Sequence, residues 1–518
     1  MRKPLCLTFV IPTKSAFLLL LLFALTTDLL GDGKKLLVLD DAIAIALEKS
    51  YRMKSLRLSL AQAEQNLIAA KGRFRTNAQL SLNTPRWYES VSQIQRPDDL
   101  PIYNTTGLIN YQGTLNISQP LPTGGALSLE SRAYHQDVST FRTDLDSSLK
   151  RSEILSSVSL NFSQDLFTPN GLRLGLRRAN LNFERTTKYY RRNELDLVYQ
   201  VTQSFFALYR ATAQARIAED NALQQFELYD LAKKKYQAGL IPEVEALQME
   251  VDLADSRNNL LSAQGALGRA EDAFKRLIGL ELSDSVGVQT DFEYQKIEIN
   301  QDEATKLALA NRTEIREGEI DVEVAKINVR ETDARSAIKG ELSAFYDLTG
   351  VSDPYLPYGS TWKTLWNSSR SDMDRRPHNR GVVFSLTVPL WDWGVNAAEV
   401  SSAQANLRTQ ELDLVEQQKQ IVLDVRDVVS QMQEAESRYE VLLKNQEVAQ
   451  RAFDISIERF NNGDITSQEL ALDRNRLTQA KLSFLVAYID YKLAVADLKR
   501  KTMWDFEKNQ SLIEPKVE

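Results

Sequence analysis

Cysteine occurs once in the 518 residues, at Cys6, and histidine twice, at His135 and His378. A chain so poor in both has no means of building disulfides, Cys-ligated zinc or a thiolate nucleophile beyond its first residues. The two histidines stand far apart, in polar surroundings, without an evident partner for acid–base work. No phosphate loop, dinucleotide fingerprint, HExxH or GxSxG is present, and Gly124-Gly125 reads as a turn because nothing around it suits a phosphate. No catalytic, cofactor or metal site is expected. Long apolar runs are missing too: beyond the N-terminus none approaches the roughly 18 residues of a membrane-spanning helix. That leaves membrane β-strands open, since they betray themselves only by alternation. A basic stripe is also lacking, and the net charge is −7. Nucleic acid is therefore not an expected partner.

Residues 1–33 read as a secretory signal: Arg2, Lys3 and Lys14 precede a short apolar run, Phe17–Leu25, ended by Asp28 and Gly31-Asp32-Gly33. An uncleaved anchor is the alternative. Cys6 lies before the apolar run, so a lipid-modified N-terminus is not expected.

What the chain does have is one joint, built twice. In Val382–Gly394, the apolar Val382, Phe384, Leu386 and Val388 alternate with Val383, Ser385 and Thr387, the period of a strand. Pro389 removes a ladder donor. After Gly394 the period changes to three- and four-residue steps that run on to Phe460. Earlier, Val158, Leu160 and Phe162 alternate with Ser157, Ser159 and Asn161. Pro169, Asn170 and Gly171 follow, and then a helical pattern runs from about Leu172 to Ala238. A helix of about 67 residues would be roughly 100 Å long, a length of coiled coils and helical tubes rather than globular domains.

The remaining segments repeat in the same order. Helical patterns over Leu39–Arg75 and Glu303–Ile338 correspond, as do strands at Ala78–Leu82 and Glu341–Thr349. Gly239 and Gly463 each end a long helix, and return helices then run to about Leu277 and Lys501. Thr114–Leu129 adds a hairpin turned at Gly124-Gly125. Residues 84–111, 136–152 and 350–380, the last containing Trp362 and Trp366, are expected as loops. The reading is an internally duplicated α+β chain: a first repeat over 34–280, a linker over 281–300, a second repeat over 301–505 and a tail over 506–518. On the second long helix Val422, Val425, Val429, Met432, Ala435, Tyr439, Leu442, Ala449, Phe453, Ile457 and Phe460 form a packing seam. Trp391 and Trp393 suit either an interfacial aromatic belt or a packed core.

This duplicated order, with Val388–Gly394, the helix turns around Gly239 and Gly463, and the Asp473–Lys481 run, resembles the outer-membrane efflux protein family, the TolC-like exit ducts. The resemblance spans about Leu36 to Thr502. It implies a homotrimer in which each protomer gives strands to one shared outer-membrane β-barrel and helices to one periplasmic α-barrel. It also implies a periplasmic adaptor and an inner-membrane transporter as partners. Physics agrees, because a few strands cannot hide their edges in lipid unless oligomerisation closes them into a barrel. Leu160, Phe162, Val382, Phe384, Leu386 and Val388 would then face lipid. Pro169, Gly171, Pro389 and Gly394 would make the strand–helix elbows. The turns at Ala238-Gly239-Leu240 and Asn462-Gly463-Asp464 would form the adaptor-contacting tip, unless the glycines merely end their helices. Glu245, Glu469 and Asp473 are candidates for a pore constriction; the alternative is that they solvate their helices and suit the first turn. A coiled-coil scaffold without a pore would explain the seam but not the alternating strands.

Overall fold

The computed structural model describes residues 35–97, 99–142, 146–239, 241–289, 294, 296–462 and 464–513. The expected signal segment, Leu240, Gly463 and the end of the tail lie outside the described residues. In chain order the elements are β1 (Lys35–Leu37), α1 (Leu39–Lys49), α2 (Tyr51–Gly72), β2 (Asn77–Arg96), β3 (Asp99–Pro120), β4 (Ala126–Arg142), β5 (Ser147–Leu166), α3 (Gly171–Gln237) and α4 (Glu243–Ile278). They continue with β6 (Val286–Val288), α5 (Gln301–Asn311), α6 (Thr313–Asp333), β7 (Lys339–Val351), α7 (Trp362–Arg375), β8 (Asn379–Thr387), α8 (Val395–Asn462) and α9 (Ser467–Thr502). Short strands β9 (Trp504–Asp505) and β10 (Gln510–Ser511) close the chain. The helices fall into matched lengths: 11 residues for α1 and α5, 67 and 68 for α3 and α8, and 36 for both α4 and α9.

Two compact units result, divided within α1, within α3 and after Tyr294. In the smaller, α3 from Val201 and α4 form a helical hairpin. Its core holds Phe205, Phe206, Leu208, Met249, Leu253, Phe274 and Ile278, all buried. Phe205 meets Phe206 and Phe274 edge-on at 5.5 and 6.2 Å. Each such side chain contributes about 1.5–3 kcal/mol by leaving water. Strand β1 pairs in parallel with β6, joining the N-terminal end of the unit to the segment after α4.

The larger unit contains a six-stranded antiparallel sheet in the order β2-β3-β4-β5-β7-β8, with α2, α5, α6, α8 and α9 among its helices. Helices α8 and α9 pack along the expected seam: Val425, Val429, Met432, Ala435, Tyr439 and Phe453 are buried. The Tyr439 ring lies 5.5 Å from Phe484 and 6.2 Å from Tyr488. Ile457, expected in the same seam, is exposed.

The structure corrects several expectations. Both helices before the sheet are broken at one residue. Ser50 is extended and accepts from the Met53 N–H, and Arg312 is extended with its N–H on Ala308 O. A one-residue break shifts the apolar stripe too little to be seen as a change of period. Segments 84–111 and 136–152 are largely strand, because β2 pairs with β3 and β4 with β5 along almost their whole lengths. Those stretches mix polar and apolar residues on both faces and so carry no alternation to read. Pro85 is accommodated by a register shift between Asn83 and Arg86 on an edge strand, where a missing donor matters least. Segment 350–380 holds α7.

Candidate functional site

Pairing across the sheet sorts its side chains onto two faces. Ile117, Leu129 and Leu160 are directly opposed on successive strands, as are Leu127, Phe162, Ala344 and Val382, and then Leu342 and Phe384. Directly opposed residues share a face. One face therefore gathers Leu80, Leu115, Ile117, Leu127, Leu129, Val158, Leu160, Phe162, Leu342, Phe384 and Leu386. The other carries Asn116, Ser128, Glu130, Ser159, Asn161, Ser343 and Ser385, with Phe345 and Val383 among its apolar exceptions. Val382, Phe384 and Leu386 are 54–72% exposed, so this apolar face is uncovered along β8 within one chain. Strands β2 and β8 each lack a neighbour on one side, leaving two open edges.

The two elbows join this sheet to the long helices by related means. At the first, Asn170 caps α3: its side-chain oxygen accepts from the Arg173 N–H at 3.0 Å, and its amide donates to Pro122 O. At the second, Asp392 accepts from the N–H groups of Gly394 and Asn396 at 2.9 and 3.0 Å. Each elbow also holds one aromatic residue in the left-handed region, Phe167 and Trp393. Gly394 has φ +82°, a conformation that favours glycine, whereas Gly171 has ordinary helical geometry despite its matching place. Trp391 and Trp393 pack edge-on at 5.2 Å and are 74% and 87% exposed, so neither is core within the protomer. The Asn and Asp caps were readable as helix-start residues but escaped notice beside the prolines.

The helix turns belong to different units. Ala238 and Gly239 close α3, with Gly239 at φ +71° and its N–H on Tyr236 O, and Pro242 precedes α4. Glu245 lies in the first turn of α4. In the larger unit, Asn462 is the last residue of α8, and the Asp464 N–H returns to Arg459 O at 2.9 Å. Leu240 and Gly463, the remaining tip candidates, lie outside the described residues. Glu469 and Asp473 stand one turn apart at the start of α9. Glu469 completes a capping box, its carboxylate accepting from Thr466 N at 2.9 Å while Thr466 Oγ accepts from Glu469 N. Asp473 accepts from Ser456 Oγ at 2.6 Å and pairs with Arg476. The Ser456 hydrogen bond is the main cause that holds its carboxyl below the usual range. Both acids therefore have local work, and Glu245 belongs to the other unit.

His135 sits on β4 rather than in a loop, and His378 lies in the loop just before β8. His135 lies between Tyr111 and Trp362, and His378 Nδ1 is 2.6 Å from the Tyr346 hydroxyl. Among the described residues no group of three His, Cys, Asp or Glu is placed to hold a metal, and no helix is long and apolar enough to cross a membrane.

Comparison with known proteins agrees with this geometry. The model of the outer membrane efflux protein family matches residues 134–280 and 304–502. Among solved structures, the Campylobacter jejuni CmeC outer membrane channel superposes with TM-score 0.65 at 15% identity, covering 91% of this chain and 88% of that one. CusC gives 0.63 at 16%, covering 90% and 91%. The outer membrane protein VceC of Vibrio cholerae gives 0.63 at 15%, covering 90% and 95%. No curated protein matches the chain significantly.

Proposed function

Because the chain belongs to the outer membrane efflux protein family, an outer-membrane channel family whose members extend into the periplasm and are not enzymes, we propose that it is the passive exit duct of a tripartite efflux or type I secretion system. Three copies would close one barrel from their sheets and one tube from their helices. An inner-membrane transporter would supply energy and substrate choice, and a periplasmic adaptor would join the two. The observation that carries this reading is the six-stranded sheet, apolar on one face, whose two elbows lead directly into helices of 67 and 68 residues. At about 1.5 Å per residue each helix is roughly 100 Å long, a reach suited to a periplasmic tube. A coiled-coil scaffold would need the helices but has no use for an uncovered apolar sheet face.

The turns at 238–240 and 462–464 are the segments we assign to the adaptor. Cysteines at Ala238 or Asp464 should crosslink to the adaptor's helices in an export-competent complex, and absence of crosslinks there would remove the assignment. For the duct itself, fractionation should place the protein in the outer membrane as a heat-modifiable trimer that conducts ions in planar bilayers. A detergent-independent protein without conductance would be the scaffold instead.

A further inference from the structure

Helix α7 lies on the same sheet face as Leu160, Phe162 and Phe384. Ser369 Oγ is 2.7 Å from Ser156 Oγ of β5 and donates to Gly350 O of β7. A Cβ on Gly350 would strike the Ser369 carbonyl and Met373. At the other end Trp362 meets His135 of β4 edge-on at 5.2 Å. The helix therefore crosses three strands instead of running along one. Leu365 and Ser369 are buried beneath it. Trp366 stands on its flank, 38% exposed, Trp362 is half exposed above His135, and Lys363 and Arg370 are exposed on the side away from Leu365 and Ser369. Neither Lys363 nor Arg370 forms an ion pair among the described residues.

The position along the strand matters. On β5 this face carries Leu166, Phe162, Leu160 and Val158 with Gln164 among them, and beyond Ser156 and the buried Ile154 it is polar at Ser152, Lys150 and Ser148. Helix α7 sits at the change, over Ser156. Ten residues from Leu166 to Ser156 rise about 34 Å along a strand. At a 40° tilt that is about 26 Å of height, close to the apolar band of an outer-membrane barrel, about 25 Å. An amphipathic helix lying across the strands at that height, with Trp on its flank and basic side chains outward, has the composition of an interfacial helix.

Resting on the reading of this face as lipid-facing, we propose that α7 is seated in the headgroup layer of the outer leaflet, where Trp362 and Trp366 enter the interface and Lys363 and Arg370 bind the phosphates of lipopolysaccharide. Continuity with the apolar band and the two uncompensated cations select this occupant over a protein partner.

The trimer, lacking Cys6 and carrying a nitroxide at Asn367→Cys, is reconstituted into vesicles of phosphatidylcholine with or without lipopolysaccharide. Parallel labels are placed at Phe384→Cys in the apolar band and at Ser90→Cys far along β2. Collisions with a water-soluble nickel chelate should be about threefold fewer at 367 than at 90 when lipopolysaccharide is present, as expected for a basic site drawn to an anionic surface. That protection should be lost in Lys363→Glu/Arg370→Glu, and reduced in phosphatidylcholine alone. If position 367 is as open to nickel as position 90 while 384 stays shielded, α7 stands in water and the proposal falls with the duct intact. Equal protection with and without lipopolysaccharide removes the phosphate contact. If 384 is open as well, the lipid-facing reading of the sheet falls first.

Discussion

Glu184 and Glu317 show how burial and partners push like residues in opposite directions. Arg316 Nε lies 2.7 Å from Glu184, and this hydrogen bond is the main cause that holds the Glu184 carboxyl below the usual range. Glu317, also on the α3–α6 contact, is raised instead, because burial outweighs the nearby Arg192. A depressed folded pKa gives stability that is present above the unfolded value, about 4.3, and lost as pH falls through the folded one. A raised folded pKa favours folding below the unfolded value and loses that advantage as pH rises through the folded one. Glu184→Gln should thus lower the melting temperature at pH 7, with the difference from wild type shrinking as the pH falls below about 4.3. Glu317→Gln should raise it at pH 7 and leave it unchanged in acid. Melting curves from pH 3 to 8 read both, and parallel behaviour of the two variants would contradict the assignment. At the start of α9, Glu469→Gln keeps an acceptor for the Thr466 cap. Combined with Asp473→Asn, it should lower cation selectivity in planar bilayers with trimers intact if the carboxylates ring the constriction. Unchanged selectivity would confine both acids to the hydrogen bonds seen here.

The elbows are elements in which matched sequence hides unmatched geometry. A Cβ added to Gly171 or to Gly394 would meet no atom within 4 Å, so space does not distinguish them; φ +82° at Gly394 does. Gly394→Ala should cost about 1–2 kcal/mol. Gly171→Ala, at the start of a helix, should be neutral or stabilising by up to about 1 kcal/mol. Unfolding of the purified variants distinguishes them, and equal effects would mean that the elbows share one backbone form. Periodicity made the long helices, the return helices and the elbow strands legible, because each buries one stripe or one face against a constant neighbour. It did not reveal β2 beyond Leu82, or the outer halves of β3, β4 and β5, where Ser, Thr, Asn and Gln stand on both faces. Nor did it reveal α7, whose few apolar residues, Trp362, Leu365, Trp366 and Met373, were hidden in a polar run. The candidate site was legible in part: parity grouped Leu160 with Phe162 and Val382 with Phe384, and strand pairing then set both groups on one face. Tertiary roles such as the Asp473–Ser456 hydrogen bond have no trace in spacing.

For the whole molecule, the number of strands decides whether a barrel closes. From α2 the chain enters β2, and five antiparallel pairings later it leaves β8 toward α8. An even count makes β2 and β8 antiparallel to each other. The β8 edge of one protomer can therefore pair with the β2 edge of the next in the ladder that runs through the rest of the sheet. Three protomers of six strands would give eighteen, with no open edge left in lipid. Such closure would put the face bearing Leu160 and Phe384 toward lipid and the face bearing Ser159 and Ser385 toward water. Arginine facing lipid at mid-membrane costs about 2–4 kcal/mol, whereas on the lumen side it stays hydrated. Each substitution would enter such a barrel three times, so the difference between faces would be multiplied in the assembled trimer. Leu160→Arg and Phe384→Arg should block heat-resistant trimers on gels of outer-membrane fractions, while Ser159→Arg and Ser385→Arg should assemble at close to wild-type levels. The two pairs sit on the same strands, β5 and β8, one residue apart, so strand pairing is perturbed alike and only the facing differs. Equal assembly of all four would mean that neither face meets lipid, and the sheet would then need another partner to cover it.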